Sequence, residues 1–212
     1  TCALFDIALK EGVSSIVFSS SATVYTHAGT HCPAEGFHET LALEPDKLEN
    51  HYAKSKRSVE IYMEKVLHDR YPERLLLSLR YFNPVANHPD KPLWESSKMS
   101  PNLFASLKRC ILNGSVFKIH GRDFNTRDAT AERDFIHVVD VSHAHLELPQ
   151  HLNDKGMHGY RVYNIGRGQA VSVKQIVSKV QDLQRMRGEE PLRVEYGERR
   201  PGDHEQVFAN VD

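Results

Sequence analysis

The chain has 212 residues, of which 40% are hydrophobic and 26% charged, with 12 Gly and 10 Pro. Those proportions exclude a collagen-like, low-complexity or membrane-spanning chain, and the length fits one large domain or two small ones. The 27 Lys and Arg nearly balance the 28 Asp and Glu, so neither nucleic acid nor an anionic membrane is the expected partner.

Residues 1–10 read as the end of a helix, with Ala3, Leu4, Ile7, Ala8 and Leu9 at helical spacing and Gly12 just past the stop. Ser15-Ile16-Val17-Phe18-Ser19 is a short apolar run that predicts a buried strand. Residues 25–50 are rich in Thr, His, Pro, Gly and acids and read as a surface loop. Residues 52–70 lack Gly and Pro and carry Val59, Tyr62, Met63, Val66 and Leu67, the stripe of a helix. Leu75, Leu76, Leu77 and Leu79 predict a second buried strand over residues 74–80. The composition then shifts to Pro, Asn, His and Asp over residues 83–98, a candidate domain junction.

Beyond the junction the pattern predicts a helix at about 102–112, a strand near 116–120 and a polar loop to Glu132. A short strand over 135–139, a helix to about Leu152 and a strand over 160–165 follow. Ser172 reads as a helix cap, with Gln175 closing a capping box and the helix running to Arg187. Residues 192–196 read as the last strand. No internal repeat occurs. Alternating strands and helices imply an α/β fold with a largely parallel sheet. A complete doubly wound domain begins with a strand, a Gly-rich turn and a helix. No such turn occurs here, so the expectation is another fold or a chain without the first half of its sheet.

The most telling local pattern is Tyr52-Ala53-Lys54-Ser55-Lys56. At i, i+4 spacing Tyr52 and Lys56 share one helix face. An ammonium near a phenol favours the phenolate, so such a tyrosine can serve as a general base. Upstream, Ser19-Ser20-Ser21-Ala22-Thr23-Val24-Tyr25 closes a predicted strand, and open α/β sheets bind ligands outside the carboxyl ends of their strands. Y-x-x-x-K alone is common; after a strand-end serine cluster it is much less so. Cys2, Cys32 and Cys110 are far apart and form no C-x-x-C pair, which points to a reducing, cytoplasmic compartment. His143 and His145 lack a third ligand, and no metal site is expected. His137 and Asp140 read as structural.

Five blocks in order carry a resemblance: Ser19 to Tyr25; Tyr52-x-x-x-Lys56; Leu79-Arg80-Tyr81-Phe82-Asn83-Pro84-Val85; Arg133-Asp134-Phe135-Ile136-His137-Val138-x-Asp140; and Arg199-Arg200-Pro201-Gly202-Asp203. Together they resemble the UDP-glucose 4-epimerase (UDP-galactose 4-epimerase) family of the extended short-chain dehydrogenase/reductase superfamily. The resemblance implies a partial Rossmann-type, doubly wound parallel sheet plus a smaller α/β substrate-binding domain. Residues 1–84 would be the C-terminal half of an NAD-binding Rossmann domain. Residues 85–212 would mainly bind the UDP-sugar, with residues 134–166 partly returning to the Rossmann sheet.

The implied activity is NAD-dependent epimerisation of UDP-glucose and UDP-galactose at C4 through a 4-keto sugar, a step of galactose metabolism. Tyr52 would be the base and acid, Ser21 its partner, and Lys56 the residue on the nicotinamide ribose. Phe82 would lie against the nicotinamide. Asn83, Asn102 and Leu103 would hold the diphosphate, with Arg133 and Arg200 pairing its oxygens. Lys118, Ile119 and His120 would line the uridine, and Asp203 would accept a bond from its ribose. The family also implies a homodimer.

Several positions depart from the family pattern. Thr26 stands where a Gly is usual, Ala86-Asn87 replaces the usual Gly-Ala, His120 replaces an aromatic, and Val207 replaces a bulkier residue. The first strands and the Gly-rich loop are missing, so the chain reads as truncated at both ends, inactive alone and a poor binder of NAD. Two alternatives stay open: a catalytically silent sugar-nucleotide-binding remnant, and an epimerase or decarboxylase of UDP-uronic acids.

Overall fold

The computed structural model describes residues 1–27, 30–90, 100 and 102–212. Helix α1 (Cys2–Lys10) ends before Gly12, whose φ of +90° suits a residue without a side chain. The chain then enters strand β1 (Ser15–Ser21), longer than the apolar run by Ser20 and Ser21. A 3₁₀ turn (Ala22–Tyr25) follows directly, with Ser21 as its cap. Helix α2 (His51–Tyr62) continues through a π-helical turn (Met63–Leu67) into the short α3 (His68–Arg70). Strand β2 (Leu75–Tyr81) is buried along its whole length except at Tyr81, as a central strand covered on both faces must be. Strand β3 (Asn83–Val85) comes next. From residue 91 on, the junction expected over 83–98 lies outside the described residues.

Helix α4 (Leu103–Asn113) is capped by Asn102, whose Oδ1 accepts from the Ala105 N–H at 2.7 Å. Then come β4 (Phe117–His120), β5 (Glu132–Arg133), β6 (Phe135–His137) and α5 (Val138–Asp154). Strand β7 (Gly159–Ile165), β8 (Val171–Ser172), α6 (Val173–Met186), β9 (Val194–Gly197) and β10 (Gln206–Val207) complete the chain. The capping box at Ser172 and Gln175 forms as the sequence predicts.

The main sheet has the order β1-β2-β7, all parallel. Side chains alternate across it with period two. Ile16 and Phe18 of β1 and Leu76 of β2 pack with Leu9 of α1 and with Met63 and Leu67 beyond α2. Leu75, Leu77 and Leu79 face the other way, against Leu152 and Val141 of α5. Helices on both faces of a parallel sheet make the α/β fold expected from the alternation of elements, and the arrangement is of the Rossmann type that the resemblance implies.

The remaining strands make small sheets: β3 with β6, β4 with β9, and β10-β5-β8. The pairings of β3, β5, β8 and β10 carry no apolar run, so no periodicity in the sequence marks them. These strands are two or three residues long and exist because their partners hold them. Among the described residues no helix is long and apolar enough to cross a membrane.

Candidate active site

The carboxyl end of β1 and the start of α2 meet at one place. Asn50 caps α2, its Oδ1 accepting from the Tyr52 N–H at 2.8 Å. That cap fixes the first turn and leaves the Tyr52 side chain half exposed, at 51%. One turn on, Lys56 Nζ donates to the Ser19 carbonyl at 2.8 Å and lies 5.3 Å from the centre of the Tyr52 ring. The same ammonium stands 5.1 Å from the Phe18 ring centre. Partial burial there weakens its hold on its proton relative to an ordinary lysine.

Ser21 is buried where β1 ends. Its Oγ accepts from the Thr23 N–H at 3.3 Å and from the Thr23 hydroxyl at 3.0 Å. Both bonds are accepted, so Ser21 keeps its own O–H as a donor. A second tyrosine belongs to this cluster. Tyr81 Oη bonds Ser19 Oγ at 2.8 Å and His145 Nε2 at 2.5 Å. Burial pushes the Tyr81 hydroxyl above its ordinary value, the Ser19 bond opposes this, and the neighbouring Tyr52 adds to the rise. Tyr81 therefore remains a protonated phenol.

Beside this cluster opens a cavity of about 920 Å³, lined among others by Ser21, Phe82, Asn83, Arg133 and Asp203. The start of α2 contributes Glu49, Asn50 and His51 to its wall, whereas Tyr52 and Lys56 do not line it. A second cavity of about 510 Å³ shares Phe82 and Asn83 and adds Asn102 and Leu103. Asn83 is set by β3 pairing with β6: its backbone N–H and its side-chain amide both donate to the Asp134 carbonyl, at 3.0 and 3.1 Å. Arg133 enters the first cavity from β5. Its Nη1 donates to the carbonyls of Glu132 and His204 at 2.8 and 2.9 Å, and its Nη2 lies 3.9 Å from Asp203. Arg200 Nε donates to Asp203 at 3.0 Å, so both guanidinium groups converge on one carboxylate.

Lys118, Ile119 and His120 line neither cavity. Ile119 is a core side chain, packed with Leu107, Phe117, Val177 and Leu192. Lys118 approaches Glu195 at 4.0 Å, and His120 Nδ1 lies 3.3 Å from the Glu198 carbonyl. Other residues around the site are not among the candidates that the sequence marks. Glu60 is fully buried beneath the site, and Asp134 is fully buried behind Arg133. Arg80 inside a leucine-rich strand was the available signal for Glu60, because a buried cation needs a partner. Thr26, Thr30, His27, His31 and His204 also line the first cavity; no motif marks them in the sequence.

Among the described residues no group of three or more His, Cys, Asp or Glu is placed to hold a metal ion. The donor set of Lys56, Tyr52 and Ser21 fits the nicotinamide-ribose end of a dinucleotide, where a cation and hydroxyl donors meet ribose oxygens. The sequence holds no Gly-rich strand-to-helix turn, so the residues present fit that end and not the pyrophosphate.

Comparison with known proteins is consistent with this geometry. The NAD dependent epimerase/dehydratase family matches residues 1–166. A UDP-glucose 4-epimerase of Cyamopsis tetragonoloba is 33% identical over 217 residues, covering 100% of this chain and 57% of that protein. The chain thus spans little more than half the length of that relative. The crystal structure of a UDP-glucose 4-epimerase from Stenotrophomonas maltophila, with bound NAD and formylated UDP-arabinopyranose, superposes with a TM-score of 0.78 at 30% identity. That match covers 99% of this chain and 59% of the other. The UDP-glucose 4-epimerase from Bifidobacterium longum, in complex with NAD+ and UDP, gives 0.78 and 30%, covering 97% and 58%.

Proposed function

The chain belongs to the NAD dependent epimerase/dehydratase family, and from that premise we propose that it serves an NAD-dependent nucleotide-sugar epimerase, acting at C4 of UDP-glucose and UDP-galactose. The observation that carries this reading is the Lys56 ammonium, held on the Ser19 carbonyl over the Tyr52 ring, two residues before Ser21 at the cavity wall. NAD, when bound, supplies a reversible hydride acceptor. Everything else is the work of this chain's side chains.

Tyr52 Oη takes the proton from the sugar 4-hydroxyl and returns it there. Ser21 donates its O–H to the same oxygen, orienting it. Lys56 holds the cofactor ribose and keeps a positive charge beside the Tyr52 ring. Phe82 offers an apolar wall for the nicotinamide. Tyr81, kept protonated by burial, orients Ser19 and takes no part as a base.

The anionic end of the ligand belongs with Arg133. Its guanidinium is largely desolvated, and its nearest carboxylate is 3.9 Å away and shared with Arg200. A diphosphate at that point supplies the missing countercharge in the bidentate geometry a guanidinium favours. Asn83, Asn102 and Leu103 complete the diphosphate site, and Asp203 meets the ribose. Lys118, Ile119 and His120 would reach uracil only through their backbone or from beyond the two cavities. With the diphosphate anchored, the sugar is free to present either face. On this reading residues 1–84 serve the dinucleotide and residues 85–212 mainly the nucleotide sugar.

The test is the Tyr52→Phe variant of the full-length chain with NAD. Interconversion of UDP-galactose and UDP-glucose is expected to fall by about 10²–10⁴-fold, the usual share of general acid–base catalysis. UDP affinity, measured by calorimetry, is expected to stay within about twofold because Arg133, Asn83, Asn102 and Leu103, the residues assigned to the diphosphate, lie outside α2. Retained turnover in this variant sinks the assignment of Tyr52. A full-length wild-type protein that binds both UDP and NAD and never epimerises a UDP-hexose sinks the activity itself.

A further inference from the structure

Tyr52, Lys56 and Glu60 follow one another at intervals of four along α2, which places them on one stripe. Tyr52 and Lys56 stand at the carboxyl end of β1, beside the cavity. Glu60, about 12 Å further along the axis, is fully buried and bears a charge. Its Oε1 accepts from Ser20 Oγ at 2.6 Å and from Arg80 Nε at 2.9 Å. Its Oε2 accepts from Arg80 Nη2 at 2.8 Å and from Arg57 Nη1 at 3.0 Å. Burial by itself would push this carboxyl up, but those bonds outweigh it and hold Glu60 ionised below its ordinary value.

The sheet register explains how the donors converge. Ser20 pairs with Arg80 across β1 and β2, and Arg80 pairs with Asn164 across β2 and β7. These three side chains form a polar row across the carboxyl end of the sheet, on the face covered by α2. The remaining arm of Arg80 donates from Nη1 to Tyr25 Oη at 2.8 Å, and Tyr25 Oη donates to Asn164 Oδ1 at 2.8 Å. Tyr25 closes the 3₁₀ turn that Ser21 caps. One guanidinium therefore ties down both the helix bearing Tyr52 and the turn bearing Ser21.

We propose that Glu60, clamped by Arg80 and Ser20, is a positioning residue that sets the depth and rotation of α2 and so fixes Tyr52 and Lys56 relative to Ser21. Stability alone does not account for an ion pair here rather than an apolar contact. A buried ion pair is commonly no better than two well-packed apolar side chains, because desolvation offsets the attraction. What a bidentate pair adds is direction: two parallel bonds admit one helix placement, whereas apolar contacts tolerate sliding. The proposal rests on the epimerase reading only for its kinetic consequence; the placement of Lys56 is independent of it.

The test is the double variant Glu60→Met with Arg80→Leu in the full-length chain, compared with wild type. The apolar pair is expected to fold and to bind UDP within about twofold, because Arg133 and Asn83 lie on other elements. The kcat per UDP-binding molecule is expected to fall at least about tenfold with KM for the UDP-sugar little changed, the split expected for lost transition-state alignment. Separately, the Lys56 resonance of ¹³C-methylated protein, assigned with Lys56→Arg, is expected to titrate closer to ordinary lysine as its ammonium leaves the Ser19 carbonyl. A folded double variant with kcat within twofold overturns the proposal, as does an unmoved Lys56 titration. Should the apolar pair not fold, Glu60→Asp keeps the charge and withdraws it by one methylene, with the same split expected. If the wild type does not epimerise at all, the activity reading fails and the Lys56 titration alone decides this one.

Discussion

Three serines stand side by side at the end of β1, and each has a different role. Ser20 points to the α2 face and donates to Glu60, Ser19 points to the opposite face and bonds Tyr81, and Ser21 caps the turn and lines the cavity. Alternation along a strand accounts for the first two, and the end of the strand for the third. At the residue scale the charge on Glu60 also sets a pH dependence. Its carboxyl is held below the ordinary value of 4.5 in the folded chain, so the unfolded chain takes up that proton first as pH falls. The pair's contribution to stability is full above about pH 4.5 and is lost as pH drops through the lowered folded value. The urea-unfolding free energy should therefore decline below that pH. The decline should be shallower in the Glu60→Met, Arg80→Leu chain. Equal slopes in the two proteins would show that Glu60 is not ionised in the folded state.

At the element scale, caps and turns were decided by single residues. Asn50, Asn102 and Ser172 each cap a helix through a side-chain oxygen, a signal that sequence carries well. The turn after β3 is different. Ala86 sits at φ +71°, in the left-handed region where a Cβ crowds the carbonyl. Ala86→Gly is expected to stabilise the fold by about 1 kcal/mol, the left-handed strain relieved less the greater flexibility of glycine in the unfolded chain. A shift of the urea midpoint to lower concentration would contradict that. The position where the family pattern expects glycine is thus the position where this backbone needs one. Ala86 also lines the second cavity, so the strain lies beside the site.

At the scale of the whole molecule, Asp134 ties together segments far apart in the chain. Its carboxylate accepts from the N–H groups of Arg167 at 2.9 Å, Gly168 at 3.0 Å and Ala209 at 3.2 Å. Its carbonyl orients Asn83, and its neighbour Arg133 enters the cavity. Gly166 is required by the same contact, since a Cβ there would come 2.5 Å from Asp134 Oδ2. Asp134→Asn turns one acceptor oxygen into a donor facing N–H groups. It is expected to cost about 3 kcal/mol and to speed amide exchange at Arg167, Gly168 and Ala209. Unchanged exchange at these three amides would remove Asp134 from this role.

The sequence by itself determined the order of the helices and of the longer strands, the buried runs of β1 and β2, the Ser172–Gln175 capping box and the Tyr52–Lys56 stripe. Each of these is a local matter, written in periodicity or in one capping side chain. It also carried the family, because five motif blocks stand in order along the chain. Tertiary structure alone decided that Ser20, Arg80 and Asn164 share one row, that Glu60 is their counter-charge, and that Asp134 holds residues 83, 167 and 209 together. It alone decided the short strands β3, β5, β8 and β10, and that Ile119 packs in the core while Arg133 and Asp203 meet across a cavity. These pairings link residues far apart in the chain. Their energy depends on desolvation and on register between strands, neither of which a linear pattern encodes.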